Sequence, residues 1–503
     1  MIHTATLFAG CTPEVAAGPD GRILAVGAGA RAAAGRGAEV VRLRGEAWPG
    51  LGDAHLHLEG LAERRLSVEL TGARSKEDAL RRVAERAKAT ARSGWIVGGG
   101  WYNDLWPDRS FPTRRDLDRV AGGRPVFLRR KDGHSAWASS EALKRAGIDR
   151  TTADPPGGVI DRDAEAEPTG ILRETAMHLV DAHIPLAADL DLDLAMAQTL
   201  AALARLGLTS VHTMDSARQF ASLQRLHAKR PLPVRVTYNM PLAGLEHAER
   251  MGVRSGWGDG RLRIWGVKAF LDGSLGSRTA EMLDGSGTAR LTDADLADMI
   301  QRCARAELNV CLHAIGDGAV RRALNALERH RDAWARWRPR IEHAQCVHPD
   351  DVPRFASIGV IASMQPIHAV ADRELADRYW PRYTAQSYAW GALRRAGAKL
   401  AFGSDAPVET ASPLAGIEAA TTWRREAAWH PELAVSRAAA MRAYTSNVAY
   451  AAGMEKETGA LRTGLQCDLT VVDSGRVVAT VVGGRVSWRT RASASRPSAR
   501  RAR

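Results

Sequence analysis

From residue 207 onward, short apolar runs that end in polar residues alternate with longer helical stretches. Gly207–His212, Pro233–Tyr238, Leu262–Lys268, Asn309–His313, Arg340–His343, Val360–Met364 and Leu400–Asp405 read as strands. Asp293–Ala306, Gly318–His330 and Asp351–Ser357 read as helices between them. An opening strand, Trp48 to His57, brings the count to eight. Strands alternating with helices predict a parallel sheet, and eight of them predict a closed (β/α)8 TIM barrel, an α/β fold. An open doubly wound sheet is disfavoured, because no Gly-x-Gly-x-x-Gly follows the first strand.

The pattern breaks in two places. About 150 residues separate the first strand from the second, too many for a simple crossover. This stretch, an insertion at about 60–200, carries its own helix (Lys76 to Ser93) and a tryptophan-rich passage from Trp95 to Trp106. It is expected to fold over the barrel's C-terminal mouth and shape a substrate pocket. Residues 1–47 and 455–488 are instead short β-like runs with turns, including a hairpin around Gly483-Gly484. They predict a small β-sandwich domain built from both termini, beside a barrel spanning 48–454.

Composition adds boundaries. No run of 18 apolar residues suggests a membrane span, and the first residues lack a signal-peptide pattern. The five cysteines (Cys11, Cys303, Cys311, Cys346, Cys467) form no Cys-x-x-Cys pair, which suits a reducing, cytoplasmic setting. The net charge of +13 includes six arginines between Arg489 and Arg503, in a segment expected to be a disordered tail. The remaining excess is thin, so no nucleic-acid partner is expected.

The polar residues at the strand ends carry the chemistry. Residues two apart in a strand face the same way, so His55 and His57 can address one metal ion. Lys268, His313, His343 and Asp405 end later strands, and strand ends converge at one barrel mouth. An ammonium cannot bind metal. A buried lysine becomes a neutral amine able to add carbon dioxide, and the resulting carbamate can bridge two metals about 3.5–4 Å apart. The plainer alternatives are core histidines for His313 and His343, a helix N-cap for Asp405, and an ion pair or a single-metal site at Lys268.

This set resembles the amidohydrolase superfamily, and the local wording is similar to its amidohydrolase family 3 branch, which includes N-substituted formamide deformylase. The matching segments are Pro112–Asp118, Val267–Ala280, His313–Ala319, Ile341–Gln345, Gly403–Pro407 and Gly464–Leu469, in order, within a similarity spanning about 20–487. Three features depart from the family's pattern: Cys467 stands in place of the usual alanine, Ser139 in place of a common asparagine, and the N-terminal β segment is short.

The ligand types then imply a mechanism. Two divalent metals, expected to be zinc, hold a hydroxide that attacks an amide, formamide or cyclic amide. His55, His57 and Asp405 serve one metal, His313 and His343 the other, with a Lys268 carbamate between them. Asp405 is the expected catalytic base and proton carrier. Trp101, His134, Glu174, His212, Gln365 and His368 are pocket candidates near loop ends. The expected partner is a small amide-like molecule, and a homodimer is the general prior for assembly. A one-metal aminohydrolase (deaminase) and an inactive metal-binding barrel with a regulatory role are the alternatives.

Overall fold

The computed structural model describes residues 4–91, 94–131, 134–185, 189–334 and 337–490. The expected disordered tail lies outside the described residues from 491 onward, while Arg489 closes a strand.

The eight-stranded parallel sheet is a barrel. Its strands are β1 (Leu51–Leu56), β2 (Leu208–Thr213), β3 (Arg235–Pro241) and β4 (Leu262–Phe270). They continue as β5 (Asn309–Ala314), β6 (Arg340–His343), β7 (Ile361–Met364) and β8 (Lys399–Phe402), paired in chain order. The ring closes just past β8, where Ser404 and Asp405 N–H groups donate to the His55 carbonyl at 3.2 and 2.7 Å. Asp53 reinforces the seam: its carboxylate accepts from the His55 N–H at 2.9 Å and the Ser404 hydroxyl at 2.6 Å. Helices such as Asp293–Arg305 and Asp317–Arg329 lie outside, burying Leu296, Ile300, Leu324 and Leu327 in the main core.

Both termini join one seven-stranded sheet, with Glu39–Pro49 next to Leu469–Asp473. Trp48 and Pro49 therefore belong to this sheet, and the barrel strand starts after the turn at Gly50. The expected sandwich takes the form of a single curled sheet. Its far edge returns through Ile23 N–H to Leu465 O, and both halves share a core of Phe8, Ile23, Leu43, Leu469 and Val481. Gly483 and Gly484, at φ 58° and 72°, make the hairpin turn that a side chain would strain. The sheet packs at the beginnings of β1, β2 and β3. Thr470 Oγ1 accepts from Leu51 N–H at 2.9 Å and donates to Gly207 O at 2.7 Å. Asp468 binds Arg235 in a buried two-pronged ion pair.

The second compact unit comprises Leu61–Ala195. A six-stranded sheet runs from Gly158–Arg162 at one edge to Val68–Glu69 at the other. Trp101, Trp106 and Trp137 pack one core with Leu117 and Val126; Phe127, Leu143 and Leu172 pack another. The helix expected to reach Ser93 ends at Ala89, with Thr90 already extended.

Candidate metal centre

Every candidate ligand sits at or just past the end of a barrel strand. His55, His343 and Asp405 each bring one ligand atom within 4.8 Å of the others. The rings of His55 and His57 are 5.5 Å apart, those of His55 and His343 4.7 Å, and those of His313 and His343 4.5 Å. The chain leaves β6 and β8 through left-handed residues, His343 at φ 74°, Ala344 at 43° and Asp405 at 57°. Non-glycine residues there carry strain of order 1–3 kcal/mol each; the Asp405 N–H bond to His55 O holds the turn after β8, and the Ala344 N–H bond to Ala314 O the one after β6.

Each imidazole is fixed from behind through one ring nitrogen. His55 Nδ1 donates to Glu342 at 2.7 Å, and His57 Nδ1 to Asp215 at 2.7 Å. His343 Nδ1 donates to Gln365 Oε1 at 2.8 Å; the Gln365 amide is oriented by its own N–H bond to Ser363 O at 3.3 Å. His313 Nε2 donates to Gly273 O at 2.9 Å. At His55 and His313 the opposite nitrogen is left as a lone pair. His55 Nε2 and His313 Nδ1 are buried without a hydrogen-bond partner. Asp405 Oδ1 faces His55 Nε2 at 3.4 Å and His57 Nε2 at 3.2 Å. Lone pairs and a carboxylate oxygen at that spacing repel unless a cation or proton lies among them. Carboxylate, amide and carbonyl groups behind ligating imidazoles are the arrangement that orients them for metal. The residues present fit a divalent ion.

The local fields agree with this geometry. Burial pushes Lys268 down from the usual ammonium range, and its Nζ lies 4.6 Å from the Phe270 ring. Burial, then the neighbouring Lys268, pushes His313 down to about 3. Burial and the adjacent His313 hold His343 well below the usual imidazole range. Burial opposes ionisation of Asp405, but the His55 and His57 imidazoles outweigh it and hold the carboxyl well below its usual range. Burial also opposes charge on His57, yet its bonds to Asp215 and Asp405 raise it to about 9, so proton and metal compete for one nitrogen.

The pocket candidates divide. Gln365 and His368 belong to this centre: Gln365 holds His343, and His368 Nε2 lies 3.7 Å from Asp405 Oδ2. Trp101 is corrected to a core residue, fully buried, with its indole N–H donating to Leu128 O at 2.8 Å. His212 is likewise buried inside the barrel, 2.7 Å from the Arg340 guanidinium. His134 and Glu174 pair with each other at 3.0 Å on the surface of the second unit. Asp215 and Glu342, which orient two ligands, escaped the sequence reading. Glu342 stood beside His343 in the quoted motif, but nothing in the spacing said that it faces His55.

Imidazoles held from behind around an aspartate, at the mouth of a parallel barrel, define a metal-dependent hydrolase. The chain belongs to the amidohydrolase family, whose model matches residues 40–487. It is 32% identical over 519 aligned positions to Protein LONG AFTER FAR-RED 3 of Arabidopsis thaliana, covering 93% of this chain and 87% of that one. It is 29% identical to N-substituted formamide deformylase of Arthrobacter pascens, covering 90% and 88%. Among solved structures, an uncharacterized metal-dependent hydrolase from Pyrococcus furiosus matches with a TM-score of 0.75 and 29% identity, over 94% of this chain and 98% of that one.

Proposed function

We propose that the protein hydrolyses a non-peptide carbon–nitrogen bond, an amide, formamide or cyclic amide, in a small molecule of the cytoplasm. The observation that carries the hydrolytic reading is the cluster of imidazoles around Asp405, each fixed from behind, with the buried His55 and His313 nitrogens left unpartnered. Similarity to a formamide deformylase supports the choice of bond. His55, His57 and Asp405 would hold one divalent metal, zinc by preference, and His313 and His343 a second, with Lys268 as its carbamate between them. Bound there, the metals supply Lewis acidity and bring the pKa of water from 15.7 towards about 7.

The chain's own residues manage the proton. Asp405, held ionised by its imidazole neighbours, accepts the proton of the attacking water and returns it to the leaving nitrogen. His368, beside Asp405 Oδ2, orients the carboxylate during that exchange. Asp215 and Glu342 keep His57 and His55 from turning.

One observation favours a second reading. Only His55, His343 and Asp405 form a compact ligand triplet among the described residues, which suits a single metal and an aminohydrolase. A panel of N-formyl, acyl and cyclic amides alongside aminopurines and aminopyrimidines, assayed with wild type and Lys268→Ala, separates the two. Amide turnover lost in the variant supports the carbamate-bridged reading. Deamination retained in the variant supports the other, and no turnover of either class contradicts both.

A further inference from the structure

Beneath the candidate centre, the barrel interior is polar where such barrels stack branched aliphatic side chains. Arg340 of β6 is its hub and is fully buried. Its guanidinium donates to Glu342 Oε1 and Oε2 at 2.8 and 3.0 Å, to Ser363 Oγ of β7 at 3.0 Å and to Ala54 O of β1 at 2.5 Å. It also donates to His212 Nδ1 of β2 at 2.7 Å, because a guanidinium can only donate. Glu342 is equally buried and passes the chain on to His55 Nδ1 at 2.7 Å. Burying an ion pair in place of well-packed aliphatics is often neutral or destabilising, so stability alone gives no reason for this pair.

We propose that the Arg340–Glu342 pair is a positioning device for His55, an inference that rests on the metal-centre reading above. Glu342 Oε2 already accepts from Arg340, so it can only accept from His55 as well. The proton is thereby fixed on Nδ1, and the Nε2 lone pair is left facing Asp405 and His343. Arg340, tied to strands β1, β2 and β7, keeps the carboxylate from swinging away. Arg340, Glu342 and His212 touch neither substrate nor metal; they act through His55.

Two charge-neutral double variants test this: Arg340→Met/Glu342→Gln and Arg340→Met/Glu342→Leu. Neither leaves a buried ion unpaired. The glutamine keeps an acceptor for His55 Nδ1, and the leucine removes it. Zinc affinity is measured by chelator competition, with thermal melts confirming the fold. The expected result is near-wild-type affinity for the glutamine variant and a loss of about 10–100-fold for the leucine variant. Equal affinity in all three proteins, or equal loss in both variants, would overturn the proposal. If the leucine variant does not fold, ¹⁵N histidine shifts of the zinc-free wild type decide instead. A proton on His55 Nδ1 supports the proposal and one on Nε2 alone overturns it. Wild type that binds no zinc sinks the metal reading itself, a result distinct from wild type that binds while the variants do not differ.

Discussion

Where the barrel strands begin, Arg235 and Asp468 are both buried and their charges are answered from every side. Arg235 reaches Asp468 at 2.7 and 2.9 Å and Gly260 O at 2.6 Å, while Gly483 N–H donates to Asp468 at 2.7 Å. Where the strands finish, His55 and His313 each keep a buried nitrogen without a partner. Both ends hold polar groups away from water, but one is saturated and the other is waiting. A saturated buried pair fixes the terminal sheet to the barrel, whereas buried lone pairs that converge have a use only when something binds them.

The contrast can be broken from either side. The largest effect is expected at the open end: Asp405→Asn should lower turnover by about 10²–10⁴-fold while the melting temperature moves little, as kinetics and a thermal melt would show. At the saturated end, Arg235→Ala should cost about 3–5 kcal/mol in chemical denaturation, because Asp468 is left buried and unpaired. Metal content per folded chain should stay unchanged in that variant. A loss of metal there would erase the distinction between the two ends.

A smaller effect concerns acid. Burial opposes ionisation of Glu342, but Arg340 and His55 outweigh it and hold the carboxyl well below its ordinary value of 4.5. A carboxyl depressed in the folded state contributes fully above its unfolded value and loses that contribution as pH falls through the folded one. Stability should therefore decline on acidification below about pH 4.5, and less steeply in Arg340→Met/Glu342→Gln, as denaturation across pH 3–6 would reveal. The smallest effect is expected at the exposed His134–Glu174 pair, where His134→Ala should change stability by less than about 1 kcal/mol and leave metal content alone.

The sequence was most legible where period and chemistry coincide. Alternating strands and helices gave the barrel, and each candidate ligand lies within three residues of a strand's end, because a parallel barrel gathers strand ends whatever the loops do. Trp101 and His212 were misplaced for a common reason. Side chains of either type serve a core as well as a pocket, and only packing tells which: Trp101 against Trp106 and Trp137, His212 against Arg340. Asp215 and Glu342 were invisible as orienting groups, since their partners lie 158 and 287 residues away in sequence. Two of the three family departures also found structural explanations. Ser139 caps the helix Ser140–Arg145 through Ala142 N–H at 3.3 Å, and Cys467 is buried in the terminal core. The motif beginning at Pro112 holds a capping box, with Thr113 N–H donating to Asp116 at 2.8 Å.

The most direct measurement is metal content per chain in purified wild type, in Arg235→Ala, and in a His55→Ala/His343→Ala variant shown by thermal melt to be folded. The expected result is bound divalent metal in the first two proteins and its loss in the third. Equal metal in all three, or none in the wild type, would contradict a metal centre built on these histidines.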